Sequence, residues 1–237
     1  MNIIWLGHSS FRIEIGGKVL LLDPWLSGNP AFPEDQRARA IAGATHILLS
    51  HGHGDHAGNT LEIARELDIP ILCIHELSNY WGQTERVKTI GFGKGGTIDL
   101  GGVKVTMVNA CHSSSIDFDG GRPTYAGSEA GYMIAGDSHT IYFSGDTDIM
   151  ADMDWMGDLH KPDVGILCAG GHYTMDMARA AYAAKRYFNF TTLIPCHYKT
   201  FPILEQSADA MVAALPNVNV LTPEVMDVIT LSPSTAL

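Results

Sequence analysis

Six consecutive residues, His51-Gly52-His53-Gly54-Asp55-His56, place three imidazoles and one carboxylate side by side in the sequence. The two glycines let the backbone turn sharply, so that neighbouring side chains can converge on one point. Imidazole and carboxylate ligands suit zinc, iron, manganese or nickel, whereas calcium prefers oxygen ligands alone. A polar loop in which Asp55 only caps the next helix is the alternative. Four ligand-type side chains in six positions favour a metal site over that alternative.

Three more ligand-type residues each follow an apolar, strand-like segment: His112, Asp146 and His197. Each of them alone would also suit an ordinary turn. However, four ligands on one short loop rarely bind a single ion, because the backbone geometry divides them into two sets. We therefore expect the three residues to complete the site from the ends of other strands, along one edge of the fold.

The elements that must position these residues are short apolar runs separated by glycine-rich turns. The predicted strands are Asn2–Leu6, Ser10–Ile15, Lys18–Asp23, His46–Leu49, Ile71–Ile74, Val103–Val108, Gly131–Ala135, Thr140–Ser144, Val164–Cys168 and Thr192–Pro195. Helical spacing of apolar residues predicts helices at Leu61–Leu67, Met175–Phe188 and Ser207–Leu215. In both halves of the chain, strands come first and helices then alternate with strands. This order predicts an α+β fold, a four-layer αββα sandwich, formed by residues 1–237 as one domain.

Composition narrows the range of functions. The formal net charge of -11 argues against a protein that binds a nucleic-acid backbone, which needs a basic surface. No apolar run reaches the roughly 18 residues of a membrane span, and no basic region precedes an apolar one at the N-terminus. The four cysteines are far apart in the sequence, which is typical of reduced thiols. We expect a cytoplasmic enzyme with a small-molecule substrate and no nucleic-acid or membrane partner; a homo-oligomer remains open.

The ligand-type motifs, taken in order, resemble those of the metallo-β-lactamase superfamily. The closer resemblance is to a branch of uncharacterised metal-dependent hydrolases related to the ascorbate-6-phosphate lactonase-like proteins. The motifs that mark this branch are Leu6-Gly7-His8-Ser9-Ser10-Phe11, Leu22-Asp23-Pro24, His112-Ser113-Ser114-Ser115, Lys161-Pro162-Asp163, Tyr173-Thr174-Met175 and His197-Tyr198-Lys199-Thr200-Phe201-Pro202. The resemblance covers essentially the whole chain and is specific for the fold, but it is not specific for the substrate.

The resemblance implies two divalent metal ions as cofactors. Zinc is the first expectation, and manganese, iron or nickel are the alternatives. It implies that the first ion is bound by His51, His53 and His112. It implies that the second is bound by Asp55, His56 and His197, and that Asp146 bridges the two ions.

Two residues are candidates for catalysis. Asp55 would orient the attacking hydroxide and accept its proton. The resemblance places the Gly7-His8-Ser9 motif beside the site, so His8 would donate a proton or contact the substrate. A histidine that only forms hydrogen bonds between loops is the alternative for His8.

Five further residues are candidates for substrate binding or for support of a ligand. His172 has the same two interpretations as His8, and Ser113 and Ser114 would contact substrate oxygens or only turn the chain. Lys199 would bind a phosphate or a carboxylate, although a single lysine is often solvated. Asp23 would accept a ring N–H from a ligand histidine, or would only form a turn before Pro24.

The expected activity is hydrolysis of an ester-type bond at a binuclear metal centre, with a lactone or a phosphodiester as the substrate class. The acidic charge disfavours the alternative of an RNA-processing nuclease with the same fold. A redox enzyme would need a flavin-binding domain that this length does not accommodate. A metal-binding protein without enzymatic activity is the remaining alternative, and the complete set of seven ligand-type residues argues against it.

Overall fold

The structure, a computed structural model, describes residues 1–117 and 122–232. Its centre is a pair of seven-stranded sheets. In spatial order, the strands of the first sheet are Val228–Thr230 (β16), Asn2–Trp5 (β1), Phe11–Ile15 (β2), Lys18–Leu22 (β3), His46–Leu48 (β4), Ile71–Ile74 (β5) and Thr89–Phe92 (β6). Those of the second sheet are Thr97–Asp99 (β7), Lys104–Asn109 (β8), Ala130–Gly136 (β11), His139–Phe143 (β12), Val164–Cys168 (β13), Thr192–Cys196 (β14) and Asn219–Val220 (β15). Ser115–Asp117 (β9) and Pro123–Tyr125 (β10) pair as a separate antiparallel hairpin.

The helices pack on the outside of the sheets. They are Arg37–Ile41 (α1), Gly54–Ala57 (α2), Thr60–Leu67 (α3), His75–Thr84 (α4), Met153–His160 (α5), Met177–Tyr187 (α6) and Asp209–Ala214 (α7), and a short 3-10 turn at Glu34–Gln36 precedes α1. Helix α4 packs on β5 and β6 of the first sheet, and α6 packs on β13 of the second. Helix α6 buries Met177, Ala180, Ala181 and Ala184, which recur at the spacing of one helical face. Within the described ranges, no helix has the length and apolar character that crossing a bilayer requires.

The hydrophobic core lies between the two sheets. The rings of Phe11 and Phe143, one from each sheet, meet edge to face with centroids 6.3 Å apart. The rings of Phe92 and Tyr132 stack across the same interface at 6.2 Å. These contacts establish the layer order helix, sheet, sheet, helix, and the prediction of an αββα sandwich is confirmed.

The two sheets have the same arrangement of strand directions. In the first sheet, neighbouring strands pair antiparallel from β16 through β1 and β2 to β3, and parallel from β3 to β6. In the second sheet, they pair antiparallel from β7 through β8 and β11 to β12, and parallel from β12 to β15. As a result, β1, β3 and β4 of the first sheet run in one direction, and so do β8, β12, β13 and β14 of the second. Parallel strands end at the same edge of a sheet, which is where α/β proteins commonly carry their functional residues.

All ten predicted strands and all three predicted helices are present, with bounds that differ by no more than two residues. Helices α4 and α5 agree with the predicted alternation of helices and strands, but no bounds were predicted for them. Strands β6, β7, β15 and β16 and the hairpin of β9 and β10 were not predicted.

Candidate metal centre

The ligand-type residues lie on loops that follow the carboxyl ends of β1, β3, β4, β8, β12 and β14. The loop after β4 is the densest of these, and α2 begins within it at Gly54. Glycine is required at position 52, because a Cβ atom there would lie 2.8 Å from both Ala126 Cβ and the Ser115 carbonyl oxygen. The loop therefore packs directly against the base of the β9–β10 hairpin, and the Gly52 N–H donates a hydrogen bond to Ser114 Oγ at 3.2 Å.

A first group of three imidazoles is formed by His51, His53 and His112. One nitrogen of each ring lies within 4.8 Å of one nitrogen of the other two. His51 Nε2 and His53 Nδ1 are 3.0 Å apart. The backbone N–H of His112 donates to Glu129 Oε1 at 3.1 Å, which fixes the loop after β8 that carries this ring.

A second group is formed by His8, Asp55, His56 and His197, whose ligand-type atoms also lie within 4.8 Å of one another. Asp55 Oδ2 is 3.0 Å from His8 Nε2, 3.8 Å from His197 Nε2 and 4.0 Å from His56 Nε2. The Asp55 side chain is 31% exposed, whereas the side chains of His8 and His56 are fully buried. Asp55 is therefore the member of this group that reaches solvent.

Asp146 lies between the two groups. Its Oδ2 atom is 3.1 Å from His197 Nε2 and 3.2 Å from His56 Nε2, both in the second group. The same atom is 3.6 Å from His112 Nε2 in the first group. One buried carboxylate oxygen thus faces imidazole nitrogens from both groups at once.

Three of these loops contain non-glycine residues in the left-handed backbone region: His8 (φ 52), Asp23 (φ 44) and His197 (φ 60). Such residues persist only where surrounding contacts hold them, and they often mark functional sites. Here the His197 N–H donates to the His8 carbonyl oxygen at 3.0 Å, and Trp5 Nε1 donates to the same oxygen at 2.8 Å. The loop after β1 in the first sheet is thereby tied to the loop after β14 in the second.

Burial and the close carboxylates set the charge states. Burial lowers the pKa of His51 well below its ordinary value and lowers the pKa of His8 to about 4. Burial also opposes ionisation of Asp146, but the imidazoles of His197 and His56 outweigh it and hold the pKa of this carboxyl well below its usual range. Burial also disfavours the charged form of His56, but the charges of Asp146 and Asp55 outweigh burial and raise the pKa of this ring. Without a metal ion the centre therefore holds a protonated His56 beside ionised Asp146.

Asp23 is fully buried behind the ligand loop. Its Oδ2 atom is 2.7 Å from His56 Nδ1, so the ring N–H of His56 donates to it and His56 Nε2 faces the centre. Asp23 Oδ1 accepts the backbone N–H of Ser50 at 2.7 Å, and Oδ2 accepts the Ser50 hydroxyl at 2.5 Å. The same hydroxyl oxygen is 2.9 Å from His51 Nδ1.

The two groups fit divalent cations. His56 Nε2 and Asp146 Oδ1 are buried and have no hydrogen-bond partner among the described residues. The first group offers three nitrogens, and the second offers nitrogen and carboxylate oxygen, a donor set that zinc, manganese, iron and nickel accept. A cation held by His56 and Asp146 would satisfy buried atoms that the described residues leave without a hydrogen bond.

Four residues predicted as substrate contacts are not among the ligand-type side chains of the two groups. Ser113 is exposed, and Ser114 is buried and accepts the Gly52 N–H. The Lys199 ammonium group lies 5.4 Å from the centroid of the Tyr198 ring. His172 is exposed, packs edge-on against Tyr173 and lines an open cleft with Glu205 and Asp176.

Three residues that the sequence analysis did not single out contact the groups directly. Ser50 joins Asp23 to His51, and Glu129 holds the backbone of His112. Thr200 Oγ1 lies 2.9 Å from His8 Nδ1 and donates to the Tyr198 carbonyl oxygen at 3.2 Å. Ser50 directly precedes the ligand run, and Thr200 lies in the motif that begins at His197, so both positions offered a signal in the sequence. Glu129 offered none.

Comparisons with known proteins agree with this geometry. The family model of the Beta-lactamase superfamily domain matches residues 18–198. A UPF0173 metal-dependent hydrolase of Paracoccus denitrificans is 65% identical over 231 residues, which cover 98% of this chain and 100% of that protein. The structure of Igni18, a metallo hydrolase from the archaeon Ignicoccus hospitalis, matches with a TM-score of 0.82 and 30% identity, covering 96% of this chain and 97% of the other.

A more distant match shows the fold alone. It is the isothiocyanate hydrolase from Delia radicum gut bacteria, with a TM-score of 0.76 at 17% identity, covering 98% of this chain and 100% of the other. The family match spans most of the sequence, and the Paracoccus denitrificans relative aligns along nearly all of it. The chain therefore belongs to the beta-lactamase superfamily, within its UPF0173 metal-dependent hydrolases.

Proposed function

We propose that this protein hydrolyses an ester-type bond, in a lactone or a phosphodiester, at a centre that holds two divalent metal ions. The observation that carries the proposal is the position of Asp146. One oxygen of this buried carboxylate lies within 3.1–3.6 Å of imidazole nitrogens from both groups. A carboxylate in this position is suited to bridge two cations and to neutralise part of their charge.

The distances between the ligand-type atoms suggest two metal sites. His51, His53 and His112 would hold one ion, Asp55, His56 and His197 would hold the other, and Asp146 would bridge them. When bound, two such ions act as Lewis acids and bring a water molecule close to deprotonation at neutral pH. We expect zinc first, with manganese, iron or nickel as alternatives.

The protein side chains would orient the reactants around these ions. Asp55 reaches solvent, so its carboxylate is placed to orient the attacking water and to accept its proton. His8 Nε2 contacts Asp55 Oδ2, and His8 Nδ1 contacts Thr200 Oγ1. Both ring nitrogens of His8 are therefore engaged with the protein, which favours a role in holding Asp55 over direct donation of a proton to the leaving group.

An apolar cavity of about 240 Å³ lies beside the ligand loop and would accept part of a small substrate. Its wall includes Gly54 of the ligand loop, Leu61 of α3, Trp81 of α4 and Ile116 of β9, which follows the loop that carries His112. Its size suits a short acyl or alkyl group rather than a polymer. The net charge of -11 also disfavours RNA as the substrate.

The test combines metal analysis with a substrate panel. The purified protein, loaded with zinc or manganese, is assayed with lactones and phosphodiesters of graded acyl or alkyl length. We expect about two ions per chain and turnover of one substrate class, with a preference for short chains. The His53→Ala variant should lose the ion of the first site and, with it, activity, whereas His75→Ala, an exposed histidine at the start of α4, should retain both ions and activity.

Two results would overturn the proposal. Fewer than about one ion per chain at saturation would remove the two-ion centre. Two bound ions without turnover of either substrate class would favour the metal-binding alternative.

A further inference from the structure

A chain of buried hydrogen bonds connects ligand residues of the two groups through the protein interior. It runs from His51 through Ser50 and Asp23 to His56. All four residues are at most 1% exposed. Solvent therefore cannot replace any of these bonds, and a donor or acceptor removed from the chain leaves its neighbour unpaired.

The direction of each bond follows from the number of protons. The Ser50 hydroxyl has one proton, and its 2.5 Å distance to Asp23 Oδ2 is that of a hydroxyl donating to a carboxylate. The Ser50 oxygen must therefore accept from His51, which places the proton of that ring on Nδ1. Since His56 also donates from Nδ1, Nε2 is the ring nitrogen that each of these two residues would offer to a metal ion.

Asp23 supports the two ligand groups by different routes. It contacts His56 of the second group directly, but it reaches His51 of the first group only through the Ser50 hydroxyl. We propose that Ser50 is a positioning residue that orients His51 for the first metal ion, so that Asp23 supports both ions and Ser50 supports only the first. This proposal rests on the two-ion centre proposed above.

The alternative is that Ser50 only stabilises the turn after β4. Its backbone is already held there, because its carbonyl oxygen accepts the Ala130 N–H at 3.0 Å and its own N–H donates to Asp23. A purely structural role would lower the unfolding temperature of the metal-free protein and leave the affinity of each metal site unchanged. The two roles are therefore separated by the affinity of each single site.

The experiment measures Zn²⁺ affinity in two single-site backgrounds, by competition with a chromophoric chelator. His197→Ala retains the three ligands of the first site, and His53→Ala retains the three side-chain ligands of the second. Ser50→Ala and Asp23→Asn are introduced into each background. Loss of such a supporting hydrogen bond typically weakens metal binding by about 10- to 100-fold.

We expect Ser50→Ala to weaken Zn²⁺ binding by about 10- to 100-fold in the His197→Ala background and to have no effect in the His53→Ala background. Asp23→Asn should weaken binding in both. Ser78→Ala, which truncates a buried serine on α4 away from the centre, is the matched control and should change neither affinity. Circular dichroism of each metal-free variant checks that the fold is retained.

Two results would overturn the inference: unchanged affinity of Ser50→Ala in the His197→Ala background, or equal loss in both backgrounds. These affinities do not depend on turnover, so a chain that shows the expected pattern but cleaves no ester would refute the proposed function alone. If neither background binds Zn²⁺ while the parent protein binds two ions, the ligand assignment fails, and this inference fails with it.

Discussion

Replacing Asp146 with asparagine keeps the shape of the side chain and removes its charge from the middle of the centre. The carboxylate is 2% exposed, and its Oδ2 atom faces His197, His56 and His112. Asparagine also places an amide N–H₂ group where one oxygen was. The variant therefore removes the bridging charge and offers a donor to rings that already need an acceptor.

The cost in the metal-free protein follows from the distance between Asp146 and His56. Two unit charges 3.2 Å apart interact by about 5 kcal/mol at an effective dielectric constant of about 20. Breaking a buried ion pair by removing one partner typically costs about 3–5 kcal/mol, which agrees with that figure. For a chain of 237 residues, each kcal/mol lowers the unfolding temperature by about 2–4 °C, so we expect a fall of about 6–20 °C.

The effect on metal binding and turnover is measured on the same variant. Calorimetry after treatment with a chelator gives the unfolding temperature, and elemental analysis gives the metal content. Without the bridge, we expect about one ion per chain or fewer in place of two. Turnover should fall by at least about 100-fold, which corresponds to about 2.7 kcal/mol of lost transition-state stabilisation.

The control is Asp148→Asn, two residues along the chain. Asp148 is half exposed and forms a surface ion pair with Arg179, and such pairs contribute about 0–1 kcal/mol. That variant should keep wild-type metal content and turnover. If Asp146→Asn also kept both, the bridging role of Asp146 and the two-site geometry derived from it would be refuted.

Two other predictions concern packing and protonation. Gly170→Ala should lower turnover by about 100-fold and stability by about 1–3 kcal/mol, because its Cβ would overlap the His197 carbonyl oxygen and displace that ring. Gly93→Ala, where a Cβ meets no atom within 4 Å, should leave turnover unchanged, and equal activity of the two variants would contradict the reasoning. Metal affinity should rise by about tenfold per pH unit near neutral pH for each proton displaced, because the raised pKa of His56 keeps that ring protonated until an ion replaces the proton. Titrations at several pH values measure this dependence, and a flat profile would show that His56 binds no ion.

Much of the fold could be predicted because its central strands are buried and apolar along their length. Ile71–Ile74 and Val164–Cys168 are buried at every position, and both were predicted with their observed bounds. The edge strands gave no such signal. Strands β7 and β16 have three residues each and are mostly exposed, so only pairing with a neighbour makes them strands. Tertiary context of this kind overrides local propensity.

The residues proposed as ligands could be found from residue type and spacing, and so could the support from Asp23, but the other supporting contacts could not. Asp55 and His56 are adjacent in sequence to other ligand-type residues, whereas Thr200 and His8 are separated by 192 positions. Ser114 follows His112, and its hydroxyl accepts a backbone N–H of the ligand loop, a contact that its position in the sequence did not reveal. The sequence gives the chemical type of a side chain, but only the folded structure shows its hydrogen-bond partners.

The division of the centre between the two sheets explains why the supporting contacts matter. The loops of the first sheet provide His51, His53, Asp55 and His56, and the loops of the second sheet provide His112, Asp146 and His197. Each proposed metal site, with the bridging Asp146, therefore needs ligands from loops of both sheets. The ligand distances depend on how the two sheets pack. Hydrogen bonds between the sheets hold that packing beside the centre: for example, Tyr132 Oη donates to the Leu49 carbonyl oxygen at 2.6 Å, and the His197 N–H donates to the His8 carbonyl oxygen. Metal binding and sheet packing are thus coupled, since ions held by loops of both sheets would stabilise the same interface that brings their ligands together.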